Sequence, residues 1–231
     1  MLESKSVQQT ERALNVLESQ WLGERLARLP SADLFPLLDI GSSTLEFRTV
    51  AQPWIDQYIF EPLRSRGGKV IHVDRKAGPG VDIVGDLLDP DFQREVVALG
   101  AKSVLASNVL EHVVARQQLC DFIAEVVPRG GYIIVSGPQQ YPYHEDPIDA
   151  MFRPTVQEVV ESFPRINVVD SAVIDSGNWR QWDAAERARS LPRYLARLAT
   201  PVWKPRLWWA AVRSPYLIRH ITAFGVILKK P

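Results

Sequence analysis

Short runs of apolar residues alternate with stretches of helical periodicity along most of the chain, and this alternation constrains the fold more than any other feature. The apolar runs are bounded by glycine, proline and acidic residues, which is typical of buried β-strands. Short apolar strands joined by helices form a sheet that is covered on both faces. We therefore expect an α/β fold with a doubly wound, mostly parallel seven-stranded sheet of the Rossmann-like type. The predicted strands are residues 37–40, 69–73, 81–84, 103–106, 132–136, 166–174 and 223–228, and the predicted helices are residues 6–29, 50–65, 90–98, 114–127 and 155–163.

The length of 231 residues suits one domain with additions. We assign residues 1–35 to an N-terminal helical extension and residues 36–231 to the α/β domain, with a helical insertion at 177–221 before the last strand. Cys120 is the only cysteine, which excludes an internal disulfide framework and a multi-cysteine metal site; we expect it to be buried. No run approaches the roughly 18 apolar residues that span a membrane, and the start of the chain is too polar for a signal peptide. We therefore expect a cytoplasmic protein.

The net charge of zero conceals an uneven distribution. Residues 187–231 contain seven Arg and three Lys but no acidic residue, so the first 186 residues carry 17 basic and 27 acidic side chains. Aromatic residues and four prolines are interspersed with the basic ones in 187–220. This segment fits a lid or a contact between copies of the chain, an anionic membrane surface at which the protein is peripheral, or nucleic acid. The apolar run around Trp208 and Trp209 disfavours nucleic acid.

Acidic residues follow three successive predicted strands. Asp39 and Gly41 follow the first strand, Asp74 ends the second and Asp86 follows the third. A glycine lets the backbone approach a ligand, a strand-end carboxylate suits a ribose diol, and a further acid can accept a hydrogen bond from an exocyclic amine. Ligands of such sheets bind at the carboxyl ends of the strands. The three acids therefore favour an adenosine with a positively charged tail, although each acid taken alone also suits a turn.

A dinucleotide site is disfavoured by the same residues. Such a site requires G-x-G-x-x-G at the start of a helix, whereas this chain has Gly41-Ser-Ser-Thr-Leu-Glu46. Three carboxylates would also repel a pyrophosphate.

Five sequence blocks resemble the motifs of class I S-adenosylmethionine-dependent methyltransferases, and of the type 11 branch in particular. The blocks are PLLDIGSST, VIHVDRKAG, VDIVGDLLD, SVLASNVLEHV and RGGYIIVSGP, and the segment GPQQYPYHEDPIDAMFRPT resembles the region that follows the fifth strand in type 11-like enzymes. The resemblance covers residues 36–174 and the last strand. It implies a methyltransferase fold and S-adenosylmethionine as cofactor. The implied cofactor-binding residues are Asp39, Gly41, Ser43, Asp74, Asp86, Leu87, Ser107 and Asn108, with Ser43 in place of the usual second glycine.

The acceptor side of the predicted site is the loop after the fifth strand. His144, Asp149 and His112 are the candidate catalytic residues, and Tyr143, Asp146, Arg153 and Trp179 are the candidate substrate-binding residues. A histidine beside two acids also resembles a metal site, but we predict no bound metal. Alternatively, the two acids shape turns around Pro147 and Arg153 pairs with one of them.

The sequence thus predicts an S-adenosylmethionine-dependent methyltransferase acting on an oxygen of a saccharide, a lipid or a small metabolite. The alternative is a methyltransferase-like partner subunit without catalytic activity. The substitution of serine for glycine at position 43 and the absence of an unambiguous base favour the alternative.

Overall fold

The computed structural model of the protein describes residues 10–141, 149–177 and 220–231, together with the single positions 195, 208 and 212. The predicted insertion at 177–221 therefore lies almost wholly outside the described residues, as do His144, Tyr143, Asp146 and Trp179. Within the described part of the chain, no helix is both long enough and apolar enough to cross a membrane.

All seven predicted strands are present, with boundaries that differ from the prediction by a few residues. They are β1 (Leu37–Ile40), β2 (Val70–Asp74), β3 (Ile83–Val84), β4 (Ser103–Ser107), β5 (Tyr132–Gln140), β6 (Asn167–Asp175) and β7 (Thr222–Lys229). The helices are α1 (Thr10–Arg28), α2 (Ser31–Leu34), α3 (Pro53–Ile55), α4 (Glu61–Ser65), α5 (Pro90–Ala98), α6 (Arg116–Val126) and α7 (Val156–Glu161). The helix predicted over 50–65 is instead a broken segment, in which π-helical turns at Phe47–Ala51 and Asp56–Phe60 flank α3.

The strands form one sheet in the order β3-β2-β1-β4-β5-β7-β6. The first five strands pair in parallel, and β7 pairs antiparallel with both β5 and β6. This confirms the predicted doubly wound, mostly parallel sheet. The order reverses between β1 and β4, and a crevice opens at such a reversal because the helices that follow the two strands lie on opposite faces.

The sheet is packed on both faces by separate apolar clusters. Leu38 and Ile40 of β1 belong to one cluster, together with residues of α5, α6 and α7, and Leu37 belongs to the other. Trp21 and Leu22 of α1 pack in this second cluster. The alternation along β1 is the period of two expected of a strand, and it directs Asp39 to the face that α1 covers.

Two glycines allow α1 to lie close to its neighbours. A Cβ on Gly23 would lie 2.0 Å from the carbonyl oxygen of Tyr58, and a Cβ on Gly225 of β7 would lie 2.5 Å from the Trp21 ring. The spacing of Leu17 from Leu14 and Trp21 predicts that Leu17 shares the apolar face of α1, and this prediction is wrong, because Leu17 is 39% exposed whereas Glu18 is only 2% exposed. Glu18 is buried because polar groups at the strand ends bind it, as described below.

The chain leaves β6 and re-enters β7 at the edge of the sheet that holds the carboxyl ends of the parallel strands. Thr222, the first residue of β7, pairs with Gln140 at the end of β5. Ser176 N–H donates to Ile221 O, and Ile221 N–H donates to Gly177 O, both at 3.0 Å. The residues between these anchors therefore start and finish beside the predicted site.

Candidate functional site

The loop after β1 enters the crevice at the reversal of strand order. Gly41 has φ +69° and Ser43 has φ +54°, so two positions of this short loop adopt the left-handed conformation. A Cβ on Gly41 would lie 2.6 Å from Val109 Cγ2, so glycine is required there by both its conformation and its neighbour. Val73 O on β2 accepts hydrogen bonds from Gly41 N–H and Ser42 N–H at 2.9 and 3.1 Å.

Arg48 is a site residue that the sequence analysis missed. Its guanidinium donates to Ser42 O at 2.8 Å, to Ser43 O at 2.7 Å and to Gly80 O at 2.7 Å. The side chain is buried, and burial lowers the pKa of its guanidinium, although nearby acids led by Asp39 oppose this. Arg48 thus ties the loop after β1 to the loop after β2. An arginine in a helical segment carries no sequence signal for such a contact.

Asp74 ends β2, and its carboxylate lies against the loop after β1. Its Oδ2 accepts from Ser43 N–H at 2.7 Å, and its Oδ1 accepts from Lys76 N–H at 2.8 Å. Each carboxylate oxygen can accept a second hydrogen bond, and the side chain is half-buried. The geometry therefore leaves one acceptor position on each oxygen beside the crevice.

Asp86 and Leu87 follow β3 on the same edge of the sheet. Asp86 Oδ1 accepts from Leu88 N–H at 2.9 Å, and its Oδ2 lies 3.6 Å from Arg75 Nε. Asp86 therefore forms a turn of its own, which is the alternative considered from the sequence, while its side chain stays 44% exposed. Leu87 is half-buried against the core cluster and presents an apolar surface next to it.

Asp39 lies one residue before the end of β1 and is buried rather than open to the crevice. Its Oδ2 lies 2.7 Å from Nδ1 of His72, the residue opposite it on β2. Burial raises the pKa of Asp39, and the hydrogen bond from His72 together with the charges of His72 and Arg48 opposes this. Its predicted contact with the methionine part of a cofactor stays a prediction, as do the other cofactor contacts.

At the end of β4 the chain meets the N-terminal helix. Asn108 has φ +53°, and its Nδ2 donates to Glu18 Oε1 at 3.0 Å. Ser107 Oγ lies 3.5 Å from the same oxygen and accepts a hydrogen bond from Ser136 Oγ of β5 at 3.0 Å. Burial raises the pKa of Glu18, and hydrogen bonds from Ser136, Asn108 and Ser107 oppose the rise. Glu18 therefore belongs to this edge of the sheet, although it is 90 residues away from Asn108 along the chain.

Glu111 lies in a 3₁₀ turn (Leu110–His112) that follows β4, and its side chain is 3% exposed. Burial raises the pKa of Glu111 to about 8; the charges of Glu18 and Asp149 add to the rise, while a backbone hydrogen bond within Glu111 and the charge of Arg153 oppose it. His112, a predicted catalytic candidate, is partly exposed, and its Nε2 lies 3.8 Å from Glu111 Oε1.

Asp149 and Arg153 are brought together as an ion pair. Arg153 Nη2 donates to Asp149 Oδ2 at 2.6 Å, and Arg153 Nη1 donates to Asp149 Oδ1 at 3.1 Å. The Asp149 side chain is fully buried, and Arg153 also donates to the carbonyl oxygens of Tyr141 and Phe152. The structure thus contains the pairing of Arg153 with a loop acid that the sequence left as an alternative. The catalytic role of Asp149 and the substrate-binding role of Arg153 remain predictions.

The described part of the chain also contains the one cysteine and further side chains of the types that ligate metals. Cys120 is buried, as predicted, and burial raises the pKa of its thiol to about 12. In the parts of the chain that the structure describes, no group of three or more His, Cys, Asp or Glu side chains could hold a metal ion.

Solved structures share this architecture. A geranyl diphosphate C-methyltransferase from Streptomyces coelicolor A3(2), in complex with Mg²⁺, geranyl diphosphate and S-adenosyl-L-homocysteine, is 15% identical over 93% of this chain and 77% of its own, with a TM-score of 0.51. A proposed sarcosine dimethylglycine methyltransferase from Galdieria sulphuraria is 11% identical over 92% of this chain and 85% of its own, with a TM-score of 0.50. No protein-family model and no curated protein sequence matches the chain. The structural likeness at this level of identity shows the fold, and the arrangement of the site has to carry any conclusion about function.

Proposed function

We propose that this chain, which has the class I methyltransferase fold, binds S-adenosylmethionine and transfers its methyl group to a small-molecule acceptor. The observation that carries the proposal is the meeting of the Gly41–Ser43 loop with the Asp74 carboxylate at the reversal of strand order. A nucleoside with a ribose diol requires two things at this place. One is a backbone turn without a Cβ, as at Gly41, and the other is a carboxylate with an acceptor position left on each oxygen.

The remaining residues at this edge also fit the cofactor. The apolar side chain of Leu87 suits the face of an adenine ring, and the exposed oxygen of Asp86 suits its exocyclic amine. The sulfonium and ammonium groups of S-adenosylmethionine are cationic. Two buried carboxyl groups, Glu18 of α1 and Glu111, lie at the ends of β4 and β5 beside the Asp149–Arg153 pair. A cationic group is therefore favoured at this edge, whereas a pyrophosphate is not.

The cofactor supplies a methyl group activated by the sulfonium charge, and the protein contributes alignment and exclusion of water. The acceptor approaches from the side on which Tyr141 and Asp149 lie, at either end of residues 142–148. The anchors at Gly177 and Ile221 bring the insertion to the same edge of the sheet. We infer an oxygen acceptor on a saccharide, a lipid or a small metabolite, because an acceptor hydroxyl is the group that needs the proton-accepting carboxyls placed here.

Calorimetry with S-adenosylmethionine and S-adenosylhomocysteine tests the cofactor proposal. We expect both compounds to bind the wild-type protein, and Asp74→Asn to weaken both at least 10-fold, because the amide retains one acceptor oxygen instead of two. Asp121→Asn, a change of an exposed acid on α6, is the matched control and should leave binding unchanged. The proposal is wrong if the wild-type protein does not bind either compound at millimolar concentration, or if Asp74→Asn binds them as well as the control does.

The alternative function is a cofactor-binding partner subunit without turnover. The specific observation in its favour is Ser43, which adopts φ +54° at a position where glycine would be free of strain. Left-handed conformation costs a residue with a Cβ roughly 1–2 kcal/mol, which would weaken a cofactor site built on this loop. A radiolabelled-methyl transfer assay on cell extract separates the two functions, since only an enzyme produces a labelled product.

Residues 187–220 are proposed to cover the acceptor or to contact an anionic membrane surface, with the protein in the cytoplasm or peripheral at the membrane. What supports this is that residues 187–220 contain eight Arg and Lys and no acidic residue, and that their anchors lie beside the site. Sedimentation with vesicles containing anionic lipid tests the membrane contact. Binding that does not require Trp208 and Trp209, or no binding at all, would exclude that contact and leave a lid or a contact between copies of the chain.

A further inference from the structure

Glu111 is a buried carboxyl group that lies among both acidic and basic side chains. Its side chain is 3% exposed, and the structure gives no hydrogen bond to its carboxyl from any other described residue. His112 Nε2 lies 3.8 Å from Glu111 Oε1, beyond hydrogen-bonding distance. Burying the ionised form of this carboxyl costs free energy, because burial removes the water that would solvate it and only a backbone hydrogen bond within Glu111 and the charge of Arg153 oppose this effect among the described residues.

The neighbours of Glu111 already have partners of their own. Asp149 and Arg153 form a bidentate pair, and Glu18 accepts hydrogen bonds from Asn108 and from serines at the strand ends. Hydrogen bonds from other residues to the charged form of Glu18 therefore oppose the rise in its pKa that burial causes. At Glu111 the only hydrogen bond that opposes the rise comes from its own backbone. Of these two acids, Glu111 is the one that receives no hydrogen bond from another residue in the described part of the chain.

The Glu111 carboxyl lies at the carboxyl ends of β4 and β5. Its Oε2 is 3.5 Å from the position that a Cβ would occupy on Gly137 of β5, so no side chain of that residue lies between it and the strand end. The backbone around it is held in place, because Ala150 N–H donates to Glu111 O at 2.8 Å. This is the edge of the sheet at which the site of the proposed function lies.

We propose that Glu111 accepts the proton of a hydroxyl-bearing methyl acceptor, and that Glu18 beside it adjusts how strongly Glu111 holds this proton. The inference rests on the proposed methyl transfer. In the balanced step, the acceptor oxygen forms a bond to the methyl carbon, and the bond from that carbon to sulfur breaks with its electron pair remaining on sulfur. The hydroxyl proton passes to the Glu111 carboxylate and returns to solvent after the product has left.

The charges around Glu111 make its protonation depend on the bound ligand. Burial is the main reason that its pKa lies at about 8, and the charge of Glu18 raises it further. A cation bound at this edge would lower the pKa of Glu111, so binding of the sulfonium compound should release a proton from it. S-adenosylhomocysteine has no sulfonium charge and should release less.

The experiment is calorimetry of both compounds with the full chain at pH 7.5, in buffers that differ in ionisation enthalpy, which counts the protons released. For wild type we expect S-adenosylmethionine to release on the order of half a proton more than S-adenosylhomocysteine. Glu111→Gln should abolish this difference but retain binding, since glutamine has the shape of the neutral acid. Glu125→Gln on the exposed face of α6 is the control and should retain the difference.

Glu18→Gln tests the second part of the proposal. Without the charge of Glu18, the pKa of Glu111 should fall, so that S-adenosylmethionine releases less of a proton at pH 7.5 and the pH at which release is largest moves down. A role limited to packing α1 would leave this pH unchanged. Circular dichroism confirms that each variant is folded, and Glu111→Asp is the second variant if glutamine is not tolerated.

The outcomes separate the two proposals. If wild type binds both compounds but the difference in proton release is absent, or survives in Glu111→Gln, the role of Glu111 is wrong and the cofactor proposal stands. If the difference disappears in His112→Asn and persists in Glu111→Gln, the proton belongs to His112 and the inference is overturned. If neither compound binds, both proposals fail together.

Discussion

Replacing Glu111 with glutamine should make the stability of the protein less dependent on pH. The pKa of a glutamate in the unfolded chain is near the ordinary value of 4.5, whereas burial raises that of Glu111 to about 8 in the folded protein. The folded state therefore holds its proton more tightly than the unfolded state does. This contribution to stability is fully present below pH 4.5 and is lost as pH rises through about 8.

The size of the effect follows from the two pKa values. One pKa unit corresponds to about 1.4 kcal/mol, so a full rise from 4.5 to about 8 gives about 5 kcal/mol as an upper bound. The variant has no proton to lose at this position, so it does not lose this stability as pH rises. The free energy of unfolding of the variant minus that of wild type should therefore increase by about 2–5 kcal/mol from pH 5 to pH 9.

Urea unfolding followed by circular dichroism at pH 5, 7 and 9 measures this difference. Glu18, Asp149, Arg153 and His112 lie near Glu111 and are present in both proteins, so subtracting wild type from the variant removes most of their contribution. Glu125→Gln, an exposed change, should show a flat difference over the same range. A difference for Glu111→Gln that stays within about 0.5 kcal/mol at all three pH values would refute the reasoning, because it would mean that Glu111 is ionised like an exposed glutamate.

Three further outcomes are expected. Gly100→Ala should lower the free energy of unfolding in urea by roughly 1–2 kcal/mol, because φ is +65° and the space around a Cβ is open. Gly41→Ala should lower it by more, because its Cβ would also meet Val109. Equal losses in the two variants would contradict this contact. Arg48→Met should weaken S-adenosylmethionine binding about 10-fold in calorimetry, and Arg48→Lys by less, because lysine can still donate to part of the three carbonyls that Arg48 holds. Cys120, with a thiol pKa of about 12, should react with a thiol reagent at pH 8 only after unfolding, so rapid labelling of the native protein would show that the helix opens.

The arrangement of strands was predictable because each strand carries its own local signal. Short apolar runs bounded by glycine and acids located all seven strands. Thr155 and Glu158 form a capping box at the start of α7, and their spacing of three residues is visible in the sequence. The strand-end position of Asp74 followed directly, since the last residue of a parallel strand lies at the edge where ligands bind. The π-helical turns around α3 were not predictable in this way, because their sequence has ordinary helical periodicity.

The site beyond these strand ends was set by contacts between distant residues. The prediction that Leu17 faces the core was wrong because Asn108 and the strand-end serines hold Glu18 inward. Arg48 had no signal, because its partners are carbonyl oxygens, which every residue possesses.

The sequence by itself determined the class of fold, the order of strand-end acids and the separation of charge between the first 186 residues and the rest. Periodicity and spacing are local properties, and they specify elements one at a time. Only the tertiary structure decided which carboxyls are buried beside one another, because a pKa depends on what surrounds a group in space. The acids that the sequence singled out at β2 and β3 remain partly exposed, whereas the fold buries Asp39 of β1 and also Glu18 and Glu111 beside β4, and burial raises the pKa of these three carboxyls.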